Sequence, residues 1–108
     1  MIDDPDVVTR LLQQLEAHLP IPAQVTPEVG HMLRKQRVPI PVSRRVQIEH
    51  VLYAGDEGGI VCGLEFPGAG DQALVISLTH LRIATAHPLA VAIRDYQRTR
   101  VKNLSRGS

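Results

Sequence analysis

Five histidines, one cysteine and a scatter of carboxylates are the residues of this 108-residue chain most able to do chemistry. His50, Cys62 and His80 are the donor types that hold zinc, provided the chain brings them to within about 2 Å of one ion. Glu49 and Glu65 are a carboxylate pair of the kind used in acid–base or divalent-cation sites, where neighbouring like charges separate two pKa values. Ser77 and Thr79 offer hydroxyl nucleophiles, which need a histidine base beside them. His87 precedes Pro88, which biases it out of a helix and makes it the expected N-cap residue, next to free amide hydrogens that could hold an anion. Gly55, Gly58, Gly59, Gly68 and Gly70 raise the question of a phosphate-cradling loop.

Which of these meet depends on the elements that carry them. Val8, Leu11, Leu12, Leu15 and Leu19 recur at three- and four-residue spacing, the stripe of an amphipathic helix. Asp4 is placed to cap it, Pro5 to fill its first turn, and Pro20 and Pro22 to end it, which predicts a helix over 4–19. Thr26-Pro27-Glu28 repeats the start signal ahead of Val29, Met32 and Leu33 and predicts a short helix over 27–36, weakened by Gly30. Val38-Pro39-Ile40-Pro41-Val42 alternates proline with aliphatics, a stiff connector denied the hydrogen bonds of a central strand. From Ser43 the period changes to two and predicts strands over 44–54, 60–66 and 73–83, joined by glycine-bearing turns. Thr85-Ala86-His87-Pro88 opens a last helix over 87–104, with Leu89, Ala92, Ile93 and Tyr96 as its buried stripe. The expected fold class is α+β, in the order α-α-β-β-β-α. A three-stranded antiparallel meander is packed by helices in a two-layer arrangement, one domain spanning 1–108.

A register makes the meander testable. Ala54 opposite Ile60 sets Leu52 against Cys62, His50 against Leu64 and Ile48 against Phe66. The next hairpin sets Leu64 against Leu74, Cys62 against Ile76 and Ile60 against Leu78. Even-numbered residues then form a nearly continuous aliphatic face for helices to cover. In this register His80 lies roughly 20 Å from His50, so the zinc donors do not converge. Cys62, in mid-strand on the covered face, reads as a small buried hydrophobe. Glu49 and Glu65 fall directly opposite each other on the odd face, where like charges repel and Arg44 and Arg45 offset them, the pattern of a solvated face. Ser77 and Thr79 share their face with no histidine, and His80 points away. The glycines sit in hairpin turns rather than between a strand and a helix, with no Gly-Lys-Ser or Gly-Lys-Thr, so no P-loop is expected. Capping alone explains His87. No catalytic residue, metal or cofactor is expected.

Composition narrows the partners. Hydrophobic residues at 44% and charged residues at 21% suit a globular chain. One Phe, two Tyr and no Trp leave no aromatic platform for stacking bases. No apolar stretch comes near the roughly eighteen residues that span a bilayer, 73–78 being already broken by Ser77, so no membrane role is expected. Asp-Asp-Pro-Asp at 3–6 stands where a secretory leader would carry positive charge, and the single Cys62 has no internal partner, so a cytoplasmic location is expected. The net charge of +1 conceals blocks: −4 over 1–30, +5 over 31–45, −5 over 46–73 and +5 over 74–108. Arg94, Arg98 and Lys102 form an i, i+4 row, and Arg34, Lys35, Arg37, Arg44 and Arg45 a second cluster. Together they are the candidate basic surface. Arg100 falls instead in the apolar stripe, where it either snorkels outward or pairs with a carboxylate.

On the odd face Val51, Tyr53, Val61, Val75 and Leu81, with Ile83, are too many apolar side chains to leave as one bare patch, and a second copy is the simplest cover. The sequence therefore reads as a small non-catalytic protein acting through protein contacts, as a homodimer with those first five residues as the candidate interface, or with another protein. The alternative is a nucleic-acid-binding or nucleic-acid-associated protein using the two basic groups. The acidic blocks and weak net charge count against it.

Overall fold

The structure is a computed structural model that describes residues 3–70 and 74–107. Helix α1 (Pro5–His18) starts where the Asp4 side chain accepts a hydrogen bond from the Asp6 amide, and it buries Val8, Leu11 and Leu15. The chain then enters a strand absent from the sequence expectation, β1 (Ile21–Val25), in which buried Ile21, Ala23 and Val25 alternate with exposed Pro22 and Gln24. Helix α2 (Pro27–Lys35) buries Val29 and Leu33. After the proline-bearing connector come β2 (Arg45–Tyr53), β3 (Ile60–Glu65), β4 (Leu74–Ser77), the two-residue β5 (Leu81–Arg82) and helix α3 (Ala90–Gly107). The sheet order is β4-β3-β2-β1-β5 with every neighbouring pair antiparallel. The expected meander is thus part of a five-stranded sheet, in an α+β fold.

Pro22 explains both why β1 was missed and why it is allowed. The Val25 amide donates to the Arg44 carbonyl and the Thr26 amide to the His80 carbonyl. Odd residues of β1 therefore address β2 and even residues address the β5 side. Pro22 lacks its donor on the side where β5, which pairs only Gln24 and Val25, has already ended.

The expected third strand over 73–83 is divided; Ala73, where it begins, lies outside the described residues. Leu78–His80 form a 3-10 turn that buries Leu78. The Ser77 hydroxyl caps it by accepting from the Thr79 amide. Gln97 of α3 holds the turn from the other side, its Nε2 donating at 2.7 Å to the carbonyls of both Leu78 and Leu81. This redirection carries β5 to the far edge beside β1.

The β2–β3 register also differs. Ile48 faces Leu64 but His50 faces Gly63, so Glu49 is an extra residue, a β-bulge. The bulge exchanges the two faces of β2: Val46 and Ile48 point into the core, and beyond it Val51 and Tyr53 do. Leu52 turns outward and opposes Val61 instead of Cys62. The β3–β4 pairs Leu64–Leu74 and Cys62–Ile76 are as expected.

All three helices contribute to one apolar cluster with Ile21, Ile48, Ile60, Cys62 and Leu78, so they cover a single face of the sheet. Pro22, Gln24, Arg45, Gln47, Glu65, Val75 and Arg82 stand exposed on the other. Helix α3 begins three residues later than expected. His87 caps the approach to it: Nδ1 accepts from the Leu89 amide at 3.0 Å and the carbonyl from the Ala90 amide. Among the described residues no helix is long and apolar enough to cross a membrane.

Candidate functional site

The uncovered sheet face is where candidate residues gather, though not the set expected. Val61 and Val75 lie on it and Leu52 joins them, 56% and 59% exposed for Leu52 and Val75. Val51 and Tyr53 are half-buried against the core, and Leu81 is only 1% exposed. The five-residue interface read from strict alternation is therefore divided: the bulge at Glu49 turns Val51 and Tyr53 inward, and the 3-10 turn before Leu81 puts that residue in the core. Leu52 faces Val61, and Val75 faces Gly63, so the three aliphatics form one patch at the β2–β3–β4 end of the sheet. A Cβ on Gly63 would stand 3.3 Å from the His50 Cβ, which leaves glycine to floor a hollow of about 400 Å³.

The opposite corner is cationic. Gln24 on β1 is the register partner of both Arg45 on β2 and Arg82 on β5, and all three side chains are exposed. They line a cleft of about 810 Å³ whose walls include Pro22, Pro67 and Ile83, with Glu65 diagonal to Arg45 across β2 and β3. Arg82 had no place in the sequence reading, because only the unforeseen β1 brings it beside Arg45.

The rest of the basic surface is dispersed. Arg34 donates to the Pro41 carbonyl at 3.3 Å, and Arg44 Nε to the Val25 carbonyl at 3.0 Å, so these two cations hold the connector and β1 in place. Lys35 and Arg37 are exposed around the C-terminal end of α2. Arg94, Arg98 and Lys102 are exposed along α3.

Arg100 does pair with a carboxylate. Its Nη1 lies 2.6 Å from Asp3 Oδ2, both side chains being 3% exposed, and its Nη2 donates to the Asp56 carbonyl at 2.7 Å. The Tyr53 hydroxyl donates to the same Asp3 oxygen at 3.1 Å. Burial first, then the hydrogen bond and charge of Asp3, push the Tyr53 phenol up to about 12. Asp3 also borders a hollow of about 440 Å³ between α1 and α3, but its carboxylate is already engaged by Arg100 and Tyr53.

The other chemical candidates do not assemble. Glu65 faces Gln47, while Glu49 is the bulged residue, so the carboxylates are not directly opposed as expected. Burial pushes the Cys62 thiol up to about 12, far from the thiolate needed for attack. Ser77 Oγ bonds the Gly58 carbonyl and the Thr79 hydroxyl, with no histidine beside it. His18 and His87 stack edge to face with centroids 5.7 Å apart, but each commits Nδ1 to backbone. Among the described residues no group of three or more His, Cys, Asp or Glu is placed to hold a metal ion.

Comparison with protein-family models, with curated proteins and with solved structures gives no match to the chain.

Proposed function

We propose that this protein is a non-catalytic contact module that pairs with a second copy of itself through the bare face of its sheet. The observation that carries the reading is the patch of Leu52, Val61 and Val75, three neighbouring aliphatics on the face no helix covers. Burying such surface is worth about 25 cal/mol per Å², so a patch that finds cover gains stability. The adjoining strand β4 favours a second copy as that cover. Among the described residues it pairs only with β3, so its other edge is open to strand pairing beside the patch. Two β4 strands running antiparallel across a two-fold axis extend both sheets and bring the two patches side by side. Uncharged residues meet their own copies without repulsion. A buried free thiol at Cys62 suits a reducing cytoplasm.

Sedimentation equilibrium of the parent, Leu52→Asp and Val75→Asp tests this. The parent is expected to be a dimer and both variants monomers with unchanged circular dichroism. A parent that stays monomeric up to about 100 μM, where a dimer of 10 μM affinity is mostly formed, refutes the reading. So does a dimer indifferent to both charges.

A further inference from the structure

The cationic corner of the same face carries an inference that does not depend on dimerisation. Arg45 and Arg82 flank Gln24 across three neighbouring strands. At about 4.8 Å per strand their backbones stand about 10 Å apart, a span that two arginine side chains can close from either side. Neither guanidinium has a hydrogen bond or ion pair with a described residue, whereas Arg34, Arg44 and Arg100 are all engaged with carbonyls or with Asp3. The Gln24 amide between them is turned aside, its Nε2 donating to the Ser43 carbonyl at 3.0 Å. Both side chains are exposed on the cleft, so an oxyanion entering it meets two guanidiniums with no competing hydrogen bond from a described residue.

The cleft around them specifies the rest of the ligand. The cleft is an open one of about 810 Å³, to which Pro22, Pro67 and Ile83 give apolar walls. Glu65, diagonal to Arg45, disfavours a further negative charge on the body of the ligand. We propose that Arg45 and Arg82 form a two-guanidinium seat for the oxyanion head, a carboxylate or a phosphate monoester, of a small organic anion whose apolar body lies against Pro22 and Ile83. Guanidinium forks suit both heads, because each presents two oxygens to paired N–H donors. The seat lies at the opposite corner from Leu52, Val61 and Val75, so a monomer and a dimer both offer it.

Two-dimensional NMR of the ¹⁵N-labelled protein, titrated with hexanoate, hexyl phosphate and inorganic phosphate, tests the seat. Hexanoate or hexyl phosphate is expected to shift the amides of Gln24, Arg45, Arg82 and Ile83 saturably. Binding should fall roughly tenfold or more in Arg45→Gln and Arg82→Gln, as loss of one charge-assisted contact implies. The double variant Arg94→Gln/Arg98→Gln, which removes two charges from α3, should bind as the parent does. Arg82→Lys keeps the charge but loses the planar fork, and should fall between. Tighter binding of hexyl phosphate assigns the head as phosphate, and tighter binding of hexanoate assigns it as carboxylate. The proposal is overturned if neither organic anion shifts those amides saturably up to tens of millimolar, or if inorganic phosphate binds as well as hexyl phosphate. It is also overturned if the glutamine variants at 45 and 82 bind unchanged.

Discussion

Replacing Arg100 with methionine removes the guanidinium that ties residue 3, the β2–β3 turn and α3 together. The side chain is 3% exposed, with Nη1 2.6 Å from Asp3 and Nη2 2.7 Å from the Asp56 carbonyl. Without it, the buried Asp3 carboxylate keeps, among the described residues, the Tyr53 hydroxyl at 3.1 Å, and the Asp56 carbonyl loses this donor. Breaking a buried ion pair by removing one partner costs about 3–5 kcal/mol, most of it the uncompensated charge left behind. Methionine returns part of the lost packing through its aliphatic stem, so the net is set at about 4 kcal/mol. Domains of this size have about 5–15 kcal/mol in all, so the variant loses a quarter or more of its stability. Its melting temperature should drop by about 15 °C or more. Urea denaturation followed by circular dichroism measures the loss, with the slope expected to stay constant. The double variant Asp3→Leu/Arg100→Met is the sharper probe. It removes both charges, and apolar replacement of a whole buried pair is often close to neutral, so it should be more stable than Arg100→Met alone. An Arg100→Met protein within about 1 kcal/mol of the parent refutes the reasoning. A double variant that merely sums the two single losses also refutes it.

Gly59 sits at φ +63°, and a Cβ there would fall onto the Tyr96 hydroxyl and within 2.7 Å of Arg100 Nε. Gly59→Ala should therefore lose about 2–4 kcal/mol in the same urea assay, combining left-handed strain with overpacking, and a neutral result would place the turn elsewhere. Tyr53 and Cys62 both have folded-state pKa values raised to about 12. The fold holds protons that the unfolded chain releases, so stability should be full below about pH 9, decline above it and be lost toward about pH 12, against a flat urea midpoint if these groups are exposed. Duplex DNA should show no salt-sensitive binding, since the exposed cations of α2 and α3 are dispersed rather than gathered on one surface. A steep loss of measurable affinity with rising salt would restore the nucleic-acid reading.

Helix periodicity was legible in the sequence because it is local. The stripe of Val8, Leu11 and Leu15 and the proline and aspartate at its start need nothing from the rest of the chain. Strand residues were legible too wherever alternation ran unbroken, as in Ile60, Cys62 and Leu64. What failed was each place where a distant partner decides the outcome. Pro22 reads as a breaker until β5 is known to stop short of it. Glu49 reads as one more alternating residue until Gly63 is seen to face His50 and admit a bulge. The run 73–83 reads as one strand until Gln97, on the last helix, is seen to hold the turn at Leu78. One bulge was enough to move Val51 and Tyr53 from an expected interface into the core.

The charges fared the same way, and for the same reason. Block sums along the chain treat every cation as free surface, yet Arg34 and Arg44 are tied to backbone carbonyls and Arg100 is buried against Asp3. Removing them from the count breaks the basic cluster at 31–45 and leaves Arg45 as its one member on the bare sheet face. That residue gains a neighbour only through β1, which places Gln24 between Arg45 and Arg82. Two cations with no partner among the described residues, brought together by three strands far apart in sequence, are not visible to any window along the chain. Their meeting is a product of topology. It follows that a substitution which detaches β5 from β1, such as Gln97→Ala at the turn that redirects it, should weaken organic-anion binding without touching the cleft, whereas removing Arg94 or Lys102 from α3 should not.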